Sequence, residues 1–249
     1  MRYGICPISI APLRAEPSDA SEMVSQVLYG EYFKIIDSRK KWIRIRLAHD
    51  SYEGWLDAKQ FLEIEADQYH EIHDSSKTYA QDLISHLTHA DETLSTITLG
   101  AQVSTATTLA DTFSDQGKEF SLDRDAVIEN ALLLLNAPYL WGGRSPLGID
   151  CSGFTQLVYR MSGFNLLRDA SQQATQGEVL SFIEEAEQGD LAFFDNSEGA
   201  ITHVGIIMND NYIIHAHGKV RIDRLDQSGI FNVEKHQHTH KLRMIKKVF

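Results

Sequence analysis

Hydrophobic and polar positions change period along the chain. "KKWIRIRLAHD" alternates strictly, with Trp42, Arg44 and Arg46 on one side and Ile43, Ile45 and Leu47 on the other. That period of two belongs to a half-buried strand. "YGICPISIAPLRAEP", "EMVSQVLYGEYFKIID" with a turn at Gly30, and "YEGWLDAKQFLEI" read as further short strands between turn signals. Residues 1–64 are therefore expected to form a small all-β barrel. From residue 119 the period lengthens. "SLDRDAVIENALLLLN" predicts a helix with Ser121 as N-cap, an apolar face of Val127, Ala131, Leu134 and Leu135, and Pro138 beyond its end. "CSGFTQLVYRMSGF" predicts a second helix, with Phe154, Leu157, Val158 and Met161 at helical spacing and Gly163 as its stop. "GDLAFFDN", "THVGIIMND" and "NYIIHAHGKV" follow as strand-like runs. Helices followed by an antiparallel sheet give an α+β domain over residues 119–249. Residues 65–118 are the least patterned. "SHLTHADETLSTITLGAQVST" has strand-like patches and a Leu-Gly turn, which fits a degenerate second barrel or a connecting region.

Composition narrows the function. With 249 residues, 43% of them hydrophobic, the chain can build a sizeable core without staples. A formal net charge of −12 argues against nucleic acid and against an anionic membrane surface. Two cysteines, Cys6 and Cys151, make no disulfide framework and read as free thiols in a reducing compartment. The opening "MRYGICPISIAPLRAEPS" is broken by Pro7 and Pro12 and does not read as a signal peptide, and no run reaches membrane-spanning length. A cytoplasmic location is expected, unless a leader was trimmed before the first Met.

The chemistry gathers at "GIDCSGFTQLVYR". Asp150 is a good N-cap, which places Cys151 in the first helical turn, where free N–H groups and the helix dipole favour a thiolate. Gly153 allows close approach. A nucleophile needs a base, and the base needs an orienting partner. His203 starts "HVGIIM", and His215 and His217 end "YIIHAH". If "NDN" is a three-residue hairpin loop, 208 faces 212 and all three histidines share one face. A two-residue loop would move His215 off the face of His203. In the odd register His203 would take the thiol proton and His215 would fix its tautomer. One Cys with two or three His is also a legitimate zinc set, although close ligand pairs are missing. His236, His238 and His240 of "KHQHTHK" are read as lying on a solvated strand or loop.

These residues carry a resemblance. "PYLWGGRSPLGIDCSGFTQLVYR", "RDASQQA", "GDLAFFDN", "HVGIIM" and "YIIHA" stand in the order of the NlpC-type cysteine peptidase family. The resemblance covers the last ~130 residues, roughly one ordinary domain. It implies a papain-like core with Cys151 as nucleophile, His203 as base and His215 as third polar residue. Tyr139 is implied to help the oxyanion site, together with backbone N–H groups at the helix start. Over residues 1–64, "LR…VLYGE…WIRIRL…YEGWL" resembles the bacterial SH3-like domain.

Together the two resemblances imply a subgroup that cuts γ-D-glutamyl bonds to the diamino acid, L-Lys or meso-diaminopimelate, in murein peptides with a free N-terminal L-Ala. A buried ammonium needs carboxylate and hydroxyl partners. The implied candidates are Glu31, Tyr52 and Asp150, with Trp141, Ser152 and Ser171 lining the cleft for the D-Glu. Each also has a plainer reading: Tyr52 as barrel core, Glu31 as a turn residue on a solvated face, Asp150 as an N-cap only. No cofactor is implied. The expected partner is the peptide substrate, in peptidoglycan recycling, and the chain is expected to be a monomer. The alternatives are a non-catalytic peptide-binding module built on the SH3-like barrel, or an acyltransferase on the same core.

Overall fold

The computed structural model describes residues 1–120 and 122–248. The chain divides into two compact units, the first made of residues 1–120 with the segment 141–146 and the second of the remainder.

In the first unit a seven-stranded antiparallel sheet runs in the order Met23–Leu28, Ile10–Arg14, Glu53–Asp57, Trp42–Leu47, Tyr32–Arg39, Arg2–Ile5, Leu62–Ile64. The alternation at 42–47 holds. Ile43, Ile45 and Leu47 are buried with Cys6, Leu13, Val27, Phe33 and Leu56, while Arg44 and Arg46 stay exposed and pair with Glu53. Gly30 turns the chain with φ of 76°, and a Cβ there would strike the carbonyl of Gln102. Residues 65–118 contain a helix that the sequence reading did not anticipate, α1 (Ala66–Asp74). Glu65 and Gln68 close a reciprocal capping box at its start, and Tyr69 and Ile72 form its buried stripe. A three-stranded sheet follows, ordered Thr112–Phe113, Ile84–Thr88, Leu94–Thr98. Its own core holds Leu87, Ile97, Ala101 and Val103.

In the second unit, α2 (Ala126–Leu133) is shorter than the sequence suggests. Asp125 occupies its N-cap position, Asp123 Oδ1 accepts from the N–H groups of Asp125 and Ala126, and the predicted cap Ser121 lies outside the described residues. Val127, Ile128, Ala131 and Leu134 face inward; Leu135, expected on that face, is exposed. The next helix, α3 (Cys151–Met161), is buried along its whole length. Buried polar side chains on it find partners, as when Gln156 Nε2 donates to the carbonyl of Leu166 at 3.0 Å. A short helix, α4 (Ala170–Gln173), follows.

The sheet is larger than the three runs read from sequence. Leu191–Asp195, Ile201–Met208, Tyr212–His217, Lys219–Asp226, Gly229–Asn232 and Gln237–Lys247 pair in that order. The last pairs with both Leu191–Asp195 and Gly229–Asn232, which closes a six-stranded barrel. Closure removes the free edges that an open antiparallel sheet would expose. Phe194, Ile207, Ile213, Leu225, Ile230 and Ile245 fill its core.

Candidate active site

Asp150 is the N-cap of α3, in extended conformation with φ −90° and ψ 177°, and its Oδ1 accepts from the N–H of Gly153 at 2.6 Å. Its carboxylate also takes a two-pronged bond from Arg168, at 2.6 and 3.1 Å. The same guanidinium donates to Ser152 Oγ at 2.9 Å, and Gln173 Nε2 donates to the carbonyl of Ser152 at 2.9 Å. Arg168 is 1% exposed, so this is a buried, bonded anchor for the start of α3. The sequence reading missed Arg168. The signal available was one unexplained Arg in "RDASQQ".

Cys151 is 6% exposed, and the backbone N–H groups of Val204 and Ser152 reach its sulphur. Burial pushes the thiol up to about 12, the Asp150 charge adds to this, and the N–H groups and Arg168 offset only part of it. The expectation that a helix mouth would favour the thiolate is therefore corrected. The residue that caps the helix also places a negative charge beside the sulphur, inside a closed environment.

Met208 pairs with Tyr212 across the three-residue loop 209–211, so the hairpin has the odd register. Asp210 and Asn211 turn it with positive φ, 58° and 62°. His203 Nε2 and His215 Nδ1 are then 2.8 Å apart. A Cβ on Gly205 would lie 2.9 Å from the Cβ of His215, so glycine leaves room for that imidazole. His215 Nε2 lies 3.1 Å from Asp223 Oδ2, a contact the sequence reading missed. Asp223 also accepts from Arg221 Nε at 2.7 Å and Nη2 at 3.0 Å. The ring of His240 stacks on that of His203, with centroids 4.2 Å apart and planes at 24°. This corrects the reading of His240 as solvated. Its strand closes the barrel, which brings it to the other histidines. His236 and His238 are exposed, as expected, with His238 paired to Asp226.

Burial drives the His203 imidazole well below its ordinary value, and the neighbouring His215, His240 and His217 add to this. His215 is lowered by burial despite Asp223, and His240 is pushed down to about 4, again chiefly by burial. These rings are neutral at pH 7. Tyr139, half-buried, is held between the bridges Tyr139–Ile149 and Tyr139 N–H to the carbonyl of Gly218. Burial, then the nearby Cys151 and Asp150 charges, raise its phenol to about 12, so it keeps its proton as a donor.

Of the remaining candidates, Glu31, Tyr52 and Trp141 lie in the first unit and Ser171 in the second. Glu31 is buried and ion-paired to Arg144, so it is not a solvated turn residue. Tyr52 packs half-buried against the barrel core of the first unit. Trp141 is 60% exposed, with its indole N–H on Glu22 Oε1 at 2.6 Å. Ser171 is exposed on α4. Among the described residues no group of three or more His, Cys, Asp or Glu is arranged to hold a metal ion.

A thiol, a neutral imidazole and an orienting chain on a papain-like α+β core define a cysteine peptidase. Residues 136–239 match the NlpC/P60 family, and residues 13–61 match the bacterial dipeptidyl-peptidase SH3 domain. The chain therefore carries an NlpC/P60 domain over residues 136–239 and that SH3 domain over residues 13–61. It is 26% identical to dipeptidyl-peptidase 6 of Lysinibacillus sphaericus, over 88% of this chain and 90% of the relative. It is 27% identical to the γ-D-glutamyl-L-lysine dipeptidyl-peptidase of Bacillus subtilis, over 77% of this chain and 71% of the relative. The crystal structure of an NlpC/P60 family protein from Bacillus cereus covers 99% of both chains with a TM-score of 0.79 at 18% identity, which shows a shared fold. No described helix is long and apolar enough to cross a membrane.

Proposed function

We propose that the chain hydrolyses the bond between γ-D-Glu and the diamino acid of murein peptides bearing a free N-terminal L-Ala, as a step in peptidoglycan recycling. The observation that carries the peptidase chemistry is the 2.8 Å bond between His203 and His215, in which His203 stands on the strand whose next residue, Val204, reaches the Cys151 sulphur with its N–H. His203 Nε2 is engaged by His215, so Nδ1 is the nitrogen left for the thiol. Nδ1 takes the thiol proton as sulphur attacks the γ-carbonyl carbon, and the carbonyl oxygen becomes an oxyanion. Tyr139 and the N–H groups at the start of α3 are proposed to donate to that oxygen. The imidazolium then protonates the leaving amine as the C–N bond breaks, leaving a thioester on Cys151. Water, deprotonated by His203, hydrolyses the thioester and restores the thiol. Asp150 is proposed to act by holding Ser152 and Cys151 in place, with Ser152 and Ser171 beside the D-Glu.

The substrate assignment follows from two supports: relatives named for γ-D-glutamyl-L-lysine cleavage, and an SH3 domain of the type found in bacterial dipeptidyl-peptidases. Glu31 and Tyr52 are carried over as readers of the substrate's amino end, and Trp141 as a wall of the cleft for the D-Glu. Glu31 is ion-paired to Arg144 and lies 3.6 Å from His49, which in turn meets Asp50. The relatives' names do not favour the non-catalytic alternative. The test is cleavage of L-Ala-γ-D-Glu-L-Lys and its diaminopimelate counterpart, each free and N-acetylated. Cleavage of the free peptides alone is expected. Equal cleavage of the acetylated ones removes Glu31 and Tyr52 from recognition, and cleavage of none overturns the reading.

A further inference from the structure

A histidine in the third position of a catalytic chain leaves a question that an Asp or Asn there would not. An imidazole can either donate or accept at Nδ1, so His215 alone does not decide which way the hydrogen points in its bond with His203. Were the hydrogen on His215 Nδ1, His203 Nε2 would have to accept. A neutral His203 would then carry its own hydrogen on Nδ1, with no lone pair left for the thiol.

We infer that Asp223 is the positioning residue that settles this direction, holding the His215 hydrogen on Nε2 and so leaving the lone pair of His203 on Nδ1. The inference rests on the peptidase reading. Asp223 Oδ2 is 3.1 Å from His215 Nε2, and both side chains are 1% exposed. An ionised carboxylate only accepts, so the nitrogen facing it must carry the hydrogen. A neutral ring protonated at Nε2 then has its lone pair at Nδ1, which accepts from His203 Nε2 over 2.8 Å. The groups facing Asp223 keep it ionised. Arg221 donates twice, at 2.7 and 3.0 Å, and Asn232 Nδ2 lies 3.4 Å away. Burial works against the charge, and the bonds from His215 and Arg221 outweigh it, so the carboxyl stays below its ordinary range. His217 stacks on His215 and His240 on His203, while the crossed pairs, His217 with His203 and His240 with His215, meet edge to face. Asp223 therefore acts three groups away from sulphur, through tautomer choice, as the orienting acid of other triads does.

The test uses the full chain and two readouts. In Asp223→Asn, kcat on L-Ala-γ-D-Glu-L-Lys should fall about 10²–10⁴-fold with KM changed little. Nitrogen-15 NMR of the Cys151→Ala protein should show His203 bearing hydrogen on Nε2 and a bare Nδ1. Adding Asp223→Asn should move hydrogen onto Nδ1. A His203 with hydrogen on Nδ1 in the Cys151→Ala protein overturns the inference, whatever the activity of any variant. So does an Asp223→Asn enzyme with wild-type kcat. If the wild type cleaves no murein peptide, the peptidase reading fails, while the NMR result still decides the tautomer.

Discussion

Glu31 and Arg144, 113 residues apart in sequence, meet in a two-pronged ion pair with arms of 3.0 and 3.1 Å. Their side chains are 1% and 3% exposed. Removing one partner strands the other's charge out of water, which costs about 3–5 kcal/mol. Glu31→Ala and Arg144→Ala should each lower unfolding stability by that order in denaturant titrations. The double variant should lose less than the sum of the two, because it leaves neither charge alone. Additive losses would mean that the two side chains do not depend on each other.

The sulphur of Cys151 should be slow to alkylate. With the thiol pushed up to about 12, the thiolate fraction at pH 7 is about 10⁻⁵, against a few per cent for an ordinary thiol. Cys6 is fully buried and also raised to about 12 by burial. Iodoacetamide should therefore label the free enzyme slowly at pH 7, with a rate still climbing at pH 9–10. A rate that levels off below pH 8 would contradict the account of the site's charge.

Acid should loosen the catalytic unit. His203, His215 and His240 have folded values below the ordinary imidazole value near 6.5. Below pH 6.5 the unfolded chain takes protons that these rings refuse, so stability falls as pH falls. Each ring can contribute up to about 1.4 kcal/mol per pH unit, until its own folded value is reached. Activity should follow a different course. Because His203 remains neutral well below 6.5, kcat/KM should stay flat from pH 8 down to pH 6 and decline only below that. A decline already centred at 6.5 would show an imidazole of ordinary basicity.

Much of this site is local, and local features were legible. Alternation at 42–47, the helix at Cys151, and a hairpin whose loop length decides the face of His215 all follow from spacing within about a dozen residues. What was not legible lies one step further out. Asp223 and Arg221 sit on the next strand, where His215 pairs with Arg221, and that register hangs on a turn at Gly218 with φ of 74°. His240 reaches His203 only because the last strand closes the barrel, a pairing no periodicity announces. The Arg168–Asp150 and Glu31–Arg144 pairs join residues 18 and 113 positions apart. The raised Cys151 thiol depends on enclosure, which sequence position does not give.

Gly205 offers a check on geometry rather than charge. A methyl there would meet Ile213 at 2.8 Å and the Cβ of His215 at 2.9 Å. Overpacking of this kind costs about 1–3 kcal/mol. Gly205→Ala should remain folded, with a modest drop in stability, yet lose kcat out of proportion as His215 is pushed away from His203. Unchanged kcat would show that the spacing between the two histidines is not tight.

The most direct measurement of the central claim is rapid-quench mass spectrometry of the intact enzyme during turnover of L-Ala-γ-D-Glu-L-Lys. The account predicts a transient adduct with the mass of the L-Ala-γ-D-Glu acyl group, mapped to Cys151. It should be absent from Cys151→Ala, which should not cleave the peptide. Cleavage by Cys151→Ala at the wild-type rate, or an adduct mapped to any other residue, would contradict it.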